Sequence, residues 1–149
     1  MDLRQIDFRN YTHDHMVFSL KRMYPELVAG RDYRTRHPLG EDGKQSGPPV
    51  IVYWASDSVP QPDDTDVEAF FCRNEESIRA EHVRFFRDAA LSATDSKPFA
   101  PPDAPDSVKA LAAKWTEYRE ALRKIPEQPG FPFDIDLPRS PDEDSSTSN

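Results

Sequence analysis

Residues 106–126, DSVKALAAKWTEYREALRKIP, decide how this chain is read. Val108, Leu111, Trp115, Tyr118, Leu122 and Ile125 follow one another at intervals of three and four, which places them on one stripe of an α-helix. Asp106 or Ser107 opens the helix. Pro126 stops it, because proline has no N–H to donate and its ring clashes with the preceding turn. The seam lasts only about two and a half heptads, too short for an isolated coiled coil, so the helix must pack on a neighbour. That neighbour is sought upstream. Thr65-Asp66-Val67-Glu68 has the form of a capping box, and an amphipathic run continues from it to about Ser92. Val67, Phe70, Phe71, Ile78, Phe85, Ala89 and Leu91 give this run its apolar side, with a kink expected near Asn74. Together the two runs predict an antiparallel helical hairpin, joined by the stretch from Thr94 to Pro105, which holds four prolines and cannot be regular structure.

Ahead of the hairpin, Thr12 can cap a helix that runs to Tyr24 with Met16, Val17, Leu20 and Met23 or Tyr24 on one side. Pro25 ends it. Arg31 to Arg36 alternates Tyr33 and Thr35 with arginines, and Val50-Ile51-Val52-Tyr53-Trp54 is rich in β-branched and aromatic residues, so both read as strands. Between them lie three of the five glycines, the mark of a long hairpin tip. Two strands alone are marginal and must pack on the helix. The fold class expected is α+β: a small αββ domain over residues 1–62, the helical hairpin and an extended segment over 63–138, and a disordered, polar tail over 139–149. Within the extended segment Phe131, Phe133, Ile135 and Leu137 alternate, so that one side can lie along an apolar groove.

Composition bounds the function. The 149 residues carry 19 basic against 27 acidic side chains, a formal net charge of −8. An acidic chain lacks the basic face a general nucleic-acid binder needs to displace counterions from phosphates. No apolar run approaches the roughly 18 residues of a membrane span, and the N-terminus lacks the layout of a signal peptide. The expectation is a soluble, cytoplasmic protein with no nucleic acid, membrane or small-molecule substrate among its partners. One cysteine excludes an internal disulfide framework. Cys72, in the amphipathic run, has no base beside it in the sequence and reads as a small semi-buried residue. His13 and His15 flank Asp14 but do not share a helix face and read as surface histidines near a helix start, His37 and His82 show no ligand spacing, and no metal is expected. No phosphate loop, nucleophile elbow or H-E-x-x-H helix is present. Neither catalytic residues nor a cofactor are expected.

The aromatic residues are the candidates for binding. Trp115 and Tyr118 lie on the helical seam and serve the core or a partner, and Trp54 ends a strand at core or rim. Phe131 and Phe133 sit in a proline-rich segment, where they dock on the protein's own helices or on another chain. An exposed aromatic stripe of that kind is otherwise a liability.

Arg87-Asp88, then Thr94-Asp95, then a proline-rich gap, then Trp115-x-x-Tyr118-Arg119-x-x-Leu122-Arg123-x-Ile125-Pro126-x-Gln128-Pro129-Gly130-Phe131-Pro132 resemble the phage tail assembly chaperone and tail fibre assembly family over roughly residues 83–141. Ser96 stands where that family commonly has an aromatic, and Leu137 where it often has tryptophan. Residues 12–70 resemble, more loosely, the small XkdW-like phage domain. The resemblance implies a bacteriophage tail fibre assembly chaperone that binds the fibre protein, at its distal C-terminal region, and promotes folding and trimerisation without catalysis. Trp54, Trp115, Tyr118, Phe131 and Phe133 would form the contact. The alternative it implies is a structural virion component at the fibre tip or baseplate, in the virion tail rather than the host cytoplasm.

Overall fold

The computed structural model describes residues 2–144, an α+β chain whose one sheet has two antiparallel strands. It forms two compact units, one of residues 7–82 and one of residues 2–6 with 83–144.

In the first unit, helix α1 (His13–Met23) starts after Thr12, whose extended backbone and side chain form a capping box with His15. The Tyr24 N–H closes the last turn on Leu20 O at 2.8 Å, and Pro25 follows. Met16 and Leu20 are fully buried against Tyr33, Ile51 and Val67. Each such side chain contributes about 1.5–3 kcal/mol relative to leaving it in water. Strands β1 (Tyr33–Arg36) and β2 (Val50–Trp54) pair Tyr33 with Trp54 and Arg36 with Val50. A bulge opposite Arg34 and Thr35 inserts one extra residue into β2, which breaks the in–out alternation and leaves both Val52 and Tyr53 exposed. β1 begins two residues later than Arg31 because Asp32 is occupied in a turn, its carboxylate accepting the Val28 N–H at 2.7 Å and pairing with Arg31. The hairpin tip turns at Gly43, whose φ of +73° suits a residue without Cβ.

The helical run expected from Thr65 to Ser92 is two helices, α2 (Asp64–Arg73) and α3 (Glu75–Ala93), separated at Asn74. Asn74 folds its side chain back to donate to Phe70 O at 2.9 Å, while Ser77 Oγ donates to Asn74 O at 3.0 Å, so side chains serve the broken ladder from both sides. The expected capping box at Thr65 and Glu68 is not where α2 starts: the cap is Asp63, and Asp64 turns its carboxylate to accept the Ile51 N–H of β2 at 2.8 Å. α2 packs on α1 and adds Val67 and Phe71 to the core. Cys72 is exposed rather than semi-buried, because it lies one residue beyond Phe71 and so off the stripe that Val67 and Phe71 share.

In the second unit, helix α4 (Asp106–Lys124) buries Ala112, Trp115, Tyr118, Arg119 and Leu122, and a 3₁₀ turn over Ile125–Glu127 buries Ile125. The upper end of the seam differs from the expectation, since Val108 and Leu111 are exposed. α4 meets the end of α3 at Arg119, whose guanidinium donates to Leu91 O, to Thr94 Oγ1 at 2.9 Å and to Asp95 Oδ1 at 2.7 Å. The chain's N-terminal 3₁₀ turn, Leu3–Gln5, capped by Asp2 and buried at Leu3, belongs to this unit. The tail is not irregular from residue 139 onward. Pro141–Asp144 forms one helical turn, α5, packed on α4 through the buried Pro141. The rest of the expected disordered tail, 145–149, lies outside the described residues.

Candidate functional site

Trp54 stacks on Tyr33 with ring centroids 5.8 Å apart, meets Tyr24 edge-on at 5.7 Å, and donates its Nε1–H to Val59 O at 2.8 Å. It closes the rim of the first unit's core. Trp115 and Tyr118 are buried and meet edge-on at 5.7 Å, with the Lys97 ammonium over the Trp115 ring at 5.1 Å. Burial and the Asp2 charge push the Tyr118 phenol above its ordinary pKa. These three aromatics hold their own units together by the contacts they make.

Phe131 and Phe133 sit in a folded loop rather than an extended stripe. The Gln128 side chain is its clasp: Nε2 donates to Asp136 O at 2.9 Å, and Oε1 accepts the Asp136 N–H at 2.7 Å. Gln128 thereby serves Asp136 as a neighbouring strand would. Inside the clasp, the Phe131 N–H reaches Gln128 O, and the Phe133 and Asp134 N–H groups converge on Gly130 O at 2.9 and 2.8 Å. The Phe131–Pro132 peptide bond is cis, and Pro132 is buried. Gly130 is required for space, since a Cβ there would run into the Asp134 carbonyl. The motif Gln128-Pro129-Gly130-Phe131-Pro132 is thus the set of residues that ties one compact turn. The turn holds Phe131 half-buried under the Arg84 guanidinium, 5.1 Å from its ring centroid, and presents Phe133 at 52 % exposure. The same unit exposes Phe99 (76 %) and Phe85 (56 %) together with Val108 and Leu111. Sequence reasoning passed over Phe99 because it stands in the proline-rich connection, although proline's poor fit to helix and sheet is what leaves a neighbouring aromatic uncovered.

Sequence reasoning also scattered the four histidines, and the fold gathers them. His13 Nδ1 lies 3.0 Å from His37 Nδ1, and His13 Nε2 lies 3.4 Å from Asp14 Oδ1. The other Asp14 oxygen lies 3.3 Å from His82 Nε2, and the His82 ring meets His15 edge-on at 4.3 Å. His15, expected at the surface, is completely buried, and so is His82. Burial, aided by His82 and Arg79, pushes the His15 imidazole down to about 3, so it is neutral at ordinary pH. Among the described residues no group of three or more His, Cys, Asp or Glu side chains could hold a metal ion, and no helix is long and apolar enough to cross a membrane.

Residues 80–142 match the family described as phage tail assembly chaperone protein, and residues 16–78 match the XkdW protein family. No curated protein and no solved structure matches the chain. The first match spans most of α3, α4, the clasped loop and the start of α5, and the second spans most of α1, the hairpin and α2. The chain is therefore similar to phage tail assembly chaperones over one segment and to XkdW proteins over the segment before it, each less than half of its length.

Proposed function

We propose that this protein is a bacteriophage tail fibre assembly chaperone, which binds the fibre chain in the host cytoplasm and promotes its folding and trimerisation without catalysis. The observation that carries this reading is the one unit that both matches the tail assembly chaperone family and exposes Phe85, Phe99, Val108, Leu111 and Phe133. A fibre chain pairs strands far apart in sequence, so its strand edges and apolar faces stay open while it assembles. A helper that covers them needs exposed apolar side chains on a stable frame and no chemistry. Phe133, presented by the clasped turn, is the contact residue of the five aromatics singled out from the sequence, and Phe131 shapes the turn beneath Arg84. Trp115 and Tyr118 support the contact by fixing α4, and Trp54 supports the hairpin end.

The test is Phe133→Ala, alone and with Phe99→Ala, co-expressed with the phage's tail fibre protein. The expected result is a several-fold loss of soluble fibre trimer with helix content and thermal transition unchanged, as for surface substitutions. Full trimer yield from the double variant would take the contact away from these residues. Stoichiometric recovery of the protein in purified particles would favour a structural component of the tail instead.

A further inference from the structure

The hairpin of the first unit packs one side on the helices and leaves the other bare. Facing residues of an antiparallel pair share a side of the sheet. Tyr33 with Trp54 and Thr35 with Ile51 meet the core, so Arg34 with Tyr53 and Arg36 with Val50 point away from it. Tyr53 is 46 % exposed, and the bulge residue Val52 beside it is 50 % exposed. A bulge that turns two neighbouring apolar residues outward is a common device beside functional surfaces.

Both outward residues of β1 are arginines, and both are exposed. Elsewhere in this unit Arg22 pairs with Glu81 at 2.8 Å, Arg31 with Asp32 at 2.7 Å and Arg79 with Glu75 at 2.8 Å. Arg34 and Arg36 differ. Arg34 donates to Gly30 O at 3.3 Å and lies over the Tyr53 ring, 5.4 Å from its centroid, while Arg36 has neither a hydrogen bond nor an ion pair among the described residues. In a chain with 27 acidic side chains against 19 basic ones, two adjacent guanidinium groups without an anion reverse the local sign of charge. Arginine and tyrosine are also the residue types enriched where proteins meet.

Three features select the partner. The Tyr53 ring already carries Arg34 and is no free stacking platform for a base, and a net charge of −8 repels a polyanion. The Ile51 N–H on the edge of β2 is taken by Asp64 Oδ1 at 2.8 Å, so a strand added along that edge finds no donor there. Arg34 and Arg36 stand two residues apart on β1, roughly 7 Å, and an extended segment repeats its side chains on one side at that same spacing. Guanidinium forks match carboxylates, with two parallel N–H bonds to each. We propose that the outer face of the β1–β2 hairpin docks an extended acidic segment of a partner protein, whose carboxylates two residues apart pair with Arg34 and Arg36 and whose neighbouring apolar side chain covers Val52 and Tyr53. This face belongs to the first unit, whereas the exposed aromatics proposed to meet the fibre belong to the second, so the two surfaces are tested separately.

The experiment is an NMR titration of the full chain, at low salt, with the capped peptide Gly-Gly-Asp-Val-Asp-Phe-Gly-Gly. Saturable shifts are expected at the amides of β1 and β2 and at the Arg34 and Arg36 Nε signals, with the Met16 and Leu20 amides of α1 unmoved. The same peptide with Asn for both Asp should bind about tenfold more weakly, as should the acidic peptide to the Arg34→Ala, Arg36→Ala double variant. The α1 amide positions of that variant report that its fold is kept, since both side chains lie at the surface. Arg34→Lys with Arg36→Lys retains the charge without the fork and should lose several-fold. Absence of saturable shifts, equal binding of the Asn peptide, or binding that survives the double alanine variant would each overturn the proposal. So would tighter binding of an eight-nucleotide single strand than of the peptide. Concentration-dependent shifts at these same signals without peptide, with a dimer in light scattering that the double variant abolishes, would give the face to a second copy of the chain instead.

Discussion

Gly130→Ala tests whether the clasped loop is built as described. The Cβ of alanine at this position would stand well inside 3.0 Å of the Asp134 carbonyl oxygen, closer than real Cβ contacts come, and that oxygen is backbone with no rotamer to yield. The Gly130 φ lies outside the left-handed region, so the substitution tests space alone. Relief requires Gly130 and Asp134 to move apart, which stretches the two bonds accepted by Gly130 O, from Phe133 N at 2.9 Å and Asp134 N at 2.8 Å. Each contributes about 1 kcal/mol net, and the lower chain entropy of alanine returns about 0.5 kcal/mol, leaving a loss of about 1.5 kcal/mol. The loss is confined to the loop. Amide exchange at Asp134 and Asp136 should therefore quicken by roughly tenfold, while the amides of Tyr118 and Leu122 in α4 keep their protection. A Gly130→Ala protein with unchanged exchange at both aspartates would refute the clasp and the role given to Gln128 and Gly130.

Three further outcomes follow from the side-chain chemistry. His15 has a pKa of about 3 in the fold against an ordinary 6.5, so below pH 6.5 the unfolded chain binds a proton the native state refuses. The stability this represents is fully present above pH 6.5 and declines toward pH 3: about 2 kcal/mol is lost between pH 7.5 and 5.0, a fall in Tm of about 4–8 °C. His15→Gln keeps an acceptor for the capping box and should flatten that dependence; a variant with the same pH profile as the parent would contradict the assignment. Arg119→Lys cannot reach Leu91, Thr94 and Asp95 together and should cost about 2 kcal/mol, seen as an earlier loss of the near-UV signal of Trp115 on heating, whereas an unchanged midpoint would deny Arg119 its fastening role. Trp54→Phe keeps the ring stack on Tyr33 but forfeits the bond to Val59, so urea unfolding should shift by about 1 kcal/mol, and no shift would mean that bond is idle.

The parts of the fold legible in the sequence are those set by local periodicity and chain breaks. The α4 seam, the stop at Pro126, the strand at Val50–Trp54 and the break at Asn74 depend on side chains within a few residues of each other. What was not legible depends on partners far along the chain. His13 and His37 meet across 24 residues and Asp14 and His82 across 68, so helical spacing alone made His15 look like a surface residue and left His37 and His82 unconnected to it. Nothing near Asp64 in the sequence reveals that its carboxylate serves Ile51 of a strand. The candidate binding segment misled for a different reason. Phe131, Phe133, Ile135 and Leu137 keep the two-residue period of a strand, but the Gln128 amide supplies in one side chain the bonds that a second strand would give, and the chain turns instead of extending. Leu111 and Val108 show the converse, a helical seam that continues past the point where the protein's own core covers it.

Co-expression with the phage's fibre protein, followed by size-exclusion chromatography with light scattering, tests most directly whether this protein assists a tail fibre. A soluble fibre trimer is expected only when this protein is present, with the yield reduced several-fold by Phe133→Ala combined with Phe99→Ala. A fibre that trimerises equally well alone, with nothing co-eluting, would contradict it.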